Sequence, residues 1–328
     1  MTLITWPLAT TLAATGGAAA AAALWFQRRR RYSDAASVAA AYDRWTSDQL
    51  LERLWGDHIH LGYYRSGQWW KEDFRQAKTA FVHELVHWSG LDQLPAGSKV
   101  LDVGCGIGGS ARILARDYGF DVLGISISPL QIERARALTP AGLSCRFAVM
   151  DAMALELPDA SFAGVWSVEA CPHMPDKQGY ADELLRVLGP GGRLAVADWN
   201  RRDPADGAMN RTERWVMRQL LEQWAHPEFA SIRSLQGHLH RSRFQEGLAV
   251  SSDDWSAATL PSWIDSIAEG ARRPGAILGL GPGAVAGALR EAPTILLMHW
   301  AFATGLMQFG VFRGQKPGTP AVASSEGH

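Results

Sequence analysis

The run VLDVGCGIGG, Val100 to Gly109, carries the residues best suited to holding a charged ligand. It reads as a buried strand (Val100, Leu101, Val103) that enters a glycine-rich loop and then a helix over 110–118. Gly104, Gly106 and Gly108 remove side chains where the backbone must turn, and they let a ligand approach the amide groups around Cys105. Asp102 stands at the strand end, inside the motif. A dinucleotide fingerprint is spaced G-x-G-x-x-G and keeps its acid about twenty residues downstream. Here the spacing is D-x-G-x-G-x-G-G, and an acid within the loop suits a ligand that carries cations. S-adenosylmethionine carries two, an ammonium and a sulfonium.

Further candidates follow in order along the chain. Ser126 and Gln131, in GISISPLQ, are placed to share the ribose hydroxyls through neutral hydrogen bonds. Gln131 also fits a capping box with Pro129 at the first helical position. Asp151, with Ala152 after it, lies just past the third strand and is placed to accept from an adenine amino group. In open sheets ligands bind beyond the carboxyl ends of the strands, which brings Ser167, Glu169 and His173 of VWSVEACPHMPD within reach. Ser167 is read as a cofactor contact. An acid beside a histidine, Glu169 and His173, is the kind of pair that moves protons. Asp57-His58-Ile59-His60 has two metal-capable histidines, but no third or fourth ligand follows at a recognised spacing. No metal is expected; the run reads as a lid over a substrate pocket, with His58 and His60 as further candidate bases.

These residues need elements to position them. Strands are predicted at 99–104, 120–126, 144–149, 162–168 and 193–199, alternating with helices at 110–118, 129–138 and 177–188. Gly189-Pro190-Gly191-Gly192 is expected to be a tight turn feeding the fifth strand. That alternation predicts an α/β doubly wound sheet. Two helices, Ser33 to Trp55 and Glu72 to Ser89, precede it. Beyond it come a helix from Met209 to Trp224, a strand at 244–250, a loose stretch at 270–287, a core helix from Pro293 to about Leu306 and a last strand from Gln308 to Gly314. The organisation expected is 1–31 anchor, 32–95 helical cap, 96–200 cofactor-binding core, 201–316 helical substrate region with the last strands, and 317–328 disordered tail.

The net charge of −1 gives no reason to expect a nucleic-acid partner. Three cysteines, Cys105, Cys145 and Cys171, with no C-x-x-C pairing, point to a reducing compartment. Residues Leu3 to Phe26 are uncharged, and Arg28 to Arg31 follow at once. As a helix this stretch would reach about 36 Å against a hydrocarbon core of about 30 Å. Positive charge after the apolar run favours a retained anchor over a cleaved signal, and it places the catalytic part on the cytoplasmic face.

VLDVGCGIGG, GISISP, the block from Asp151 to Lys177, LLRVLGPGGRLAVADW and WGDHIHLGYY together resemble the tocopherol methyltransferase family of class I methyltransferases. The apolar start, ADWNRRD and EAPTILLM resemble more narrowly its cyanobacterial, phytylbenzoquinol-methylating branch. That resemblance implies a seven-stranded Rossmann-like sheet with the last strand antiparallel, and S-adenosylmethionine as methyl donor. It also implies a membrane-resident prenylated hydroquinone as acceptor, with a phytyl or solanesyl tail, in an inner or thylakoid membrane. One departure is Cys171, where the family pattern leads one to expect a small residue such as glycine. Methylation of another lipid-like acceptor, or a catalytically silent cofactor-binding scaffold at a membrane, are the competing readings. The sequence does not speak to oligomeric state.

Overall fold

The computed structural model describes residues 32–65 and 69–318. Seven strands, β1 (Lys99–Val103), β2 (Asp121–Ser126), β3 (Cys145–Val149), β4 (Phe162–Val168), β5 (Leu188–Arg201), β6 (Ala249–Asp254) and β7 (Met307–Gln315), form one sheet in the order β3-β2-β1-β4-β5-β7-β6. β7 runs antiparallel to both β5 and β6, and the remaining pairs are parallel. The expected seven-stranded sheet with an antiparallel last strand is what forms.

Val100 to Val103 are all buried, as a parallel strand covered on both faces must be. Val100 and Trp166 pack to one side with Phe81, Leu114 and Phe309. Leu101, Val103 and Val165 pack to the other with Tyr180, Leu184 and Leu235. The chain order reverses between β1 and β4, so the crevice beyond their carboxyl ends is where this fold leaves room for a ligand.

The helices are α1 (Ala35–Ser47), α2 (Leu50–Trp55), α3 (Phe74–Ser89), α4 (Gly109–Tyr118), α5 (Pro129–Leu138), α6 (Lys177–Val187), α7 (Arg211–Gln223), α8 (Ile232–Arg241), α9 (Ser256–Thr259), α10 (Pro261–Arg272), α11 (Pro274–Leu278) and α12 (Pro282–Ala303). The single helix expected from Ser33 to Trp55 is two. Asp34 starts α1 with a capping box to Ser37, and Gln49, at φ 52°, breaks the chain before α2. Three interior helices, α8, α9 and α10, have no counterpart in the sequence reading, and α11 forms inside the stretch expected to be loose, 270–287.

The strand expected at 244–250 forms instead at 249–254, because 242–248 closes on itself in turns from Gln245 to Ser242 and from Leu248 to Gln245. The fifth strand begins at Leu188, and Gly189 to Gly192 form an irregularity within it rather than a turn before it. The last long helix starts at Pro282, eleven residues earlier than the sequence suggested, and Pro293 lies inside it. A proline there removes the bond to the carbonyl of Leu289, which is exposed.

Among the described residues no helix is long and apolar enough to cross a membrane. The segment from Leu3 to Phe26, on which the anchor expectation rests, lies outside them, as do tail residues 319–328. Pro317 accepts a hydrogen bond from the Gly191 N–H at 2.9 Å, and Lys316 is buried.

Candidate active site

A cavity of about 410 Å³ opens where β1, β2 and β4 end. Its floor is the glycine loop, and one wall is built from β2 and α5. Its roof comes from α1, α2 and α12, with Trp199, Trp224, His226 and Trp263 closing the far end.

The floor behaves as glycine chemistry requires. Gly106, at φ 54°, has nothing within 4 Å of where a side chain would start, so space lies open above its backbone. Gly104, at φ 78°, permits Ala170 to approach to 2.7 Å from that position. Ser126 and Gln131 meet on the wall, the serine hydroxyl donating to Oε1 at 2.7 Å, which leaves the Gln131 amide nitrogen as the donor to offer a ligand. Ser128 caps α5, accepting from the Gln131 N–H at 3.1 Å, so the capping reading and the cavity reading of Gln131 both hold. Asp151 and Ala152 line the same wall, where Asp151 also accepts from the Met153 N–H at 2.9 Å.

Four residues expected to touch a cofactor stand behind the wall instead. Asp102 is buried under the loop, where it takes a hydrogen bond from the Ala111 backbone, and its Oδ2 has no protein partner. Burial lifts its pKa to about 7. Cys105 turns inward beside Gly124, and burial pushes its thiol well up. Gly108 packs under Phe147, whose ring lies 2.6 Å from the position a side chain would take. Ser167 is consumed within the core, donating to the Val103 carbonyl at 2.9 Å and sharing a 2.6 Å bond with the Tyr180 hydroxyl.

Glu169 does face the cavity. It follows β4 with φ 55°, a backbone conformation that costs a residue with a side chain about 1–3 kcal/mol. The N–H bond to the Ala197 carbonyl (2.7 Å) holds that turn, and the Leu61 N–H donates to Oε1 at 2.7 Å. Burial outweighs these donors and raises the carboxyl pKa to about 8. His173 also faces the cavity. Its Nε2 meets the Tyr42 hydroxyl at 2.7 Å, and its ring lies 4.4 Å from that of His226. Burial, then the charge of Lys177, lowers its pKa to about 3, so it is neutral at pH 7.

His58 and His60 are elsewhere. They bond each other at 3.2 Å, and His60 Nδ1 donates to its neighbour's carbonyl, Leu61 O, at 2.8 Å. The buried ammonium of Lys78 donates to both their carbonyls, at 3.2 and 2.7 Å, and sits 3.7 Å over the Trp55 ring. Burial drives both imidazoles down, His58 to about 3. The pair ties the loop between α2 and α3 to the core and lines no part of the main cavity. Ile59, between them, is the residue that reaches it.

The sequence reading passed over Tyr42, Trp199, Trp224, His226 and Trp263. The Trp199 ring lies tilted, 5.4 Å from that of Trp263 and 5.6 Å from that of Trp224, which donates its indole N–H to Glu291 at 2.9 Å. The tryptophans left a trace only in the count of fourteen and, for Trp199, in the motif ADWNRRD; Tyr42 and His226 left none.

Residues 101–196 match a family model described as a methyltransferase domain. The 2-methyl-6-phytyl-1,4-hydroquinone methyltransferase of Synechocystis sp. is 55% identical over 282 residues, covering 86% of this chain and 88% of the relative. The chain belongs to the tocopherol methyltransferase family. Tocopherol O-methyltransferase of Arabidopsis thaliana is 32% identical over 281 residues, 82% of this chain and 79% of that protein. The fold is shared with mycolic acid cyclopropane synthase CmaA1, solved with SAH, at a TM-score of 0.70 and 20% identity over 87% of this chain and 99% of that one.

As a member of this family the protein is an S-adenosylmethionine-dependent methyltransferase. The cavity fits that donor on its own terms. It has open space over Gly106, an unpartnered carboxylate oxygen of Asp102 behind the loop, and polar groups at Gln131 and Asp151 set around an otherwise apolar wall. Among the described residues no cluster of three or more His, Cys, Asp or Glu could hold a metal ion.

Proposed function

We propose that the protein methylates a ring carbon of a prenylated hydroquinone, a 2-methyl-6-phytyl-1,4-benzoquinol or its solanesyl analogue, with Glu169 as the base. One observation carries this reading. Glu169 is held in a strained backbone at the end of β4, with its carboxyl pKa near 8, in a cavity continuous with the glycine loop and closed by tryptophans.

When bound, S-adenosylmethionine supplies a methyl group on a sulfonium, which departs as a neutral thioether. Gly104, Gly106, Ser126, Gln131, Asp151 and Ala152 hold it, and Asp102 adds negative charge from behind the loop. The aromatic end formed by Trp199, Trp224, His226 and Trp263 takes the hydroquinone ring and excludes water. Glu169 accepts the proton of a ring hydroxyl, which drives electron density onto the neighbouring carbon. Once the methyl has bonded there, that carbon's own hydrogen leaves as a proton, the ring regains aromaticity and the oxygen is reprotonated by Glu169. A free phenol has a pKa of about 10, so a carboxylate at about 8 is far better matched to it than an ordinary one. His173 is too weak a base for this step; Tyr42 and His173 together position the ring.

The apolar tail leaves between α2 and α12, which meet where Gly287 lets Leu50 approach to 3.9 Å. Such an acceptor resides in a bilayer. Membrane attachment, a plasma or thylakoid membrane setting and a shared role toward plastoquinol precursors belong to the same proposal.

The test incubates the full chain with S-adenosylmethionine and the phytylated benzoquinol and follows the product by mass spectrometry and NMR. One added methyl on a ring carbon is expected. A methoxy product, or no product from protein that still binds S-adenosylhomocysteine, overturns the proposal.

A further inference from the structure

α12 is 22 residues long, about 33 Å, and apart from His299 only Arg290 and Glu291 on it are acidic or basic. Those two pair with each other at 2.8 Å. At about 3.6 residues per turn, Leu289, Pro293, Leu296 and Trp300 fall on one stripe. Gly287, Glu291 and Ile295, on the opposite side, line the cavity, and Met298 and Phe302 enter the core there. The stripe is therefore not the face that folds the protein. Leu289 is 70% exposed, Leu296 51% and Trp300 37%, and Leu278 of the adjoining α11 is 66% exposed. Large apolar side chains grouped this way mark a contact surface.

Charge beside the stripe identifies what it contacts. α7 packs against α12, and both sink their inner faces into one core, Val216, Met217 and Leu220 beside Met298, Ala301 and Phe302. The face of α7 turned away from that core carries Arg211, Arg214 and Arg218, all exposed and about one turn apart. Glu213, the one acid within 211–218, is turned inward onto Arg202 at 3.0 Å. Leucine and tryptophan flanked by arginine is the composition of a helix that lies in the interface of an anionic bilayer.

We propose that the outer face of α12, flanked by the arginines of α7, docks on an anionic lipid surface. The cavity behind the same helix then opens toward the bilayer that holds the acceptor. This contact is separate from the apolar N-terminal segment. It rests on the prenylated acceptor proposed above.

The experiment measures partition of the full chain onto vesicles of phosphatidylcholine with and without phosphatidylglycerol, using sedimentation. Leu289→Gln with Leu296→Gln is expected to weaken binding about tenfold or more. Arg211→Gln with Arg218→Gln is expected to weaken it roughly tenfold, on the anionic vesicles alone. Both variants keep the melting temperature and the affinity for S-adenosylhomocysteine, since these side chains are exposed and away from the cavity. Two results overturn the proposal. One is unchanged partition of the leucine variant, which would assign all binding to other residues such as 3–26. The other is a wild-type dimer that the leucine variant dissolves, which would assign the stripe to a second copy. Partition needs no turnover. An inactive protein that still binds vesicles counts against the acceptor alone, and an active one that does not bind counts against this face alone.

Discussion

Replacing Glu169 by Gln keeps the side-chain volume and the oxygen that accepts from the Leu61 N–H, and removes only the capacity to take a proton. With its pKa pushed up to about 8, Glu169 is ionised in about a tenth of molecules at pH 7 and about nine-tenths at pH 9. The ratio kcat/KM reports groups of the free enzyme, so in the wild type it climbs about tenfold over that range and then levels. The variant loses the base outright, a fall of about 10²–10⁴ at the plateau, together with the rise near pH 8. Initial rates with methyl-labelled S-adenosylmethionine and the phytylated quinol in micelles, taken between about pH 6 and 10, read both effects.

Stability supplies a second readout of the same group. The folded pKa lies above the ordinary value of 4.5. The contribution of the protonated form is therefore complete below about pH 4.5 and is lost as pH rises through about 8. Glu169→Gln has no such loss, so its Tm gains on the wild type between those values. A variant that keeps more than about a tenth of the wild-type rate with its inflection near pH 8 intact would refute the assignment of Glu169 as base.

Three further outcomes follow from the geometry. Gly106→Ala adds a methyl into open space at φ 54°, at a backbone cost of about 1–2 kcal/mol, and should weaken S-adenosylhomocysteine binding by more than about tenfold in calorimetry. Unchanged affinity would remove the loop from the binding site. Ser167→Ala should leave that affinity alone while destabilising the fold by about 1–3 kcal/mol, because Tyr180 loses a buried partner; urea unfolding and calorimetry together separate this from a cofactor contact. Lys78→Met strips two buried carbonyls, those of His58 and His60, of their donor and should cost about 2–5 kcal/mol in urea unfolding. An undiminished stability would show that the histidine loop is held by other means.

The core of the fold was legible because its signals are local. The spacing of Val100, Leu101 and Val103 before three glycines specifies a buried strand and a tight loop wherever the rest of the chain goes. Asp34, Ser128 and Asn210 cap their helices by bonds to residues three positions on. The boundaries that went astray depend on distant partners. Pro293 reads as a helix start in isolation, yet α12 runs through it because Ala284 is buried ahead of it and Glu291 is tied to the Trp224 indole, contacts that the local pattern does not reveal.

Site residues divide along the same line. The sequence alone determined that a glycine loop with its own acid, a serine–glutamine wall and an acid–histidine pair would stand at the strand ends, since strand direction and residue type suffice for that. Only the tertiary structure decided which of these groups face the cavity. His58 and His60 carry the right chemistry, but Lys78 and Ser110 claim their surroundings, and Ser167 is spent on Val103 and Tyr180. Trp224, His226 and Trp263 come from segments far along the chain and become one wall only when α7, α10 and α12 close over the sheet. A buried polar group must find a partner, and a cavity is what remains after those demands are met. That balance is settled by contacts between residues remote in sequence, which no local pattern encodes.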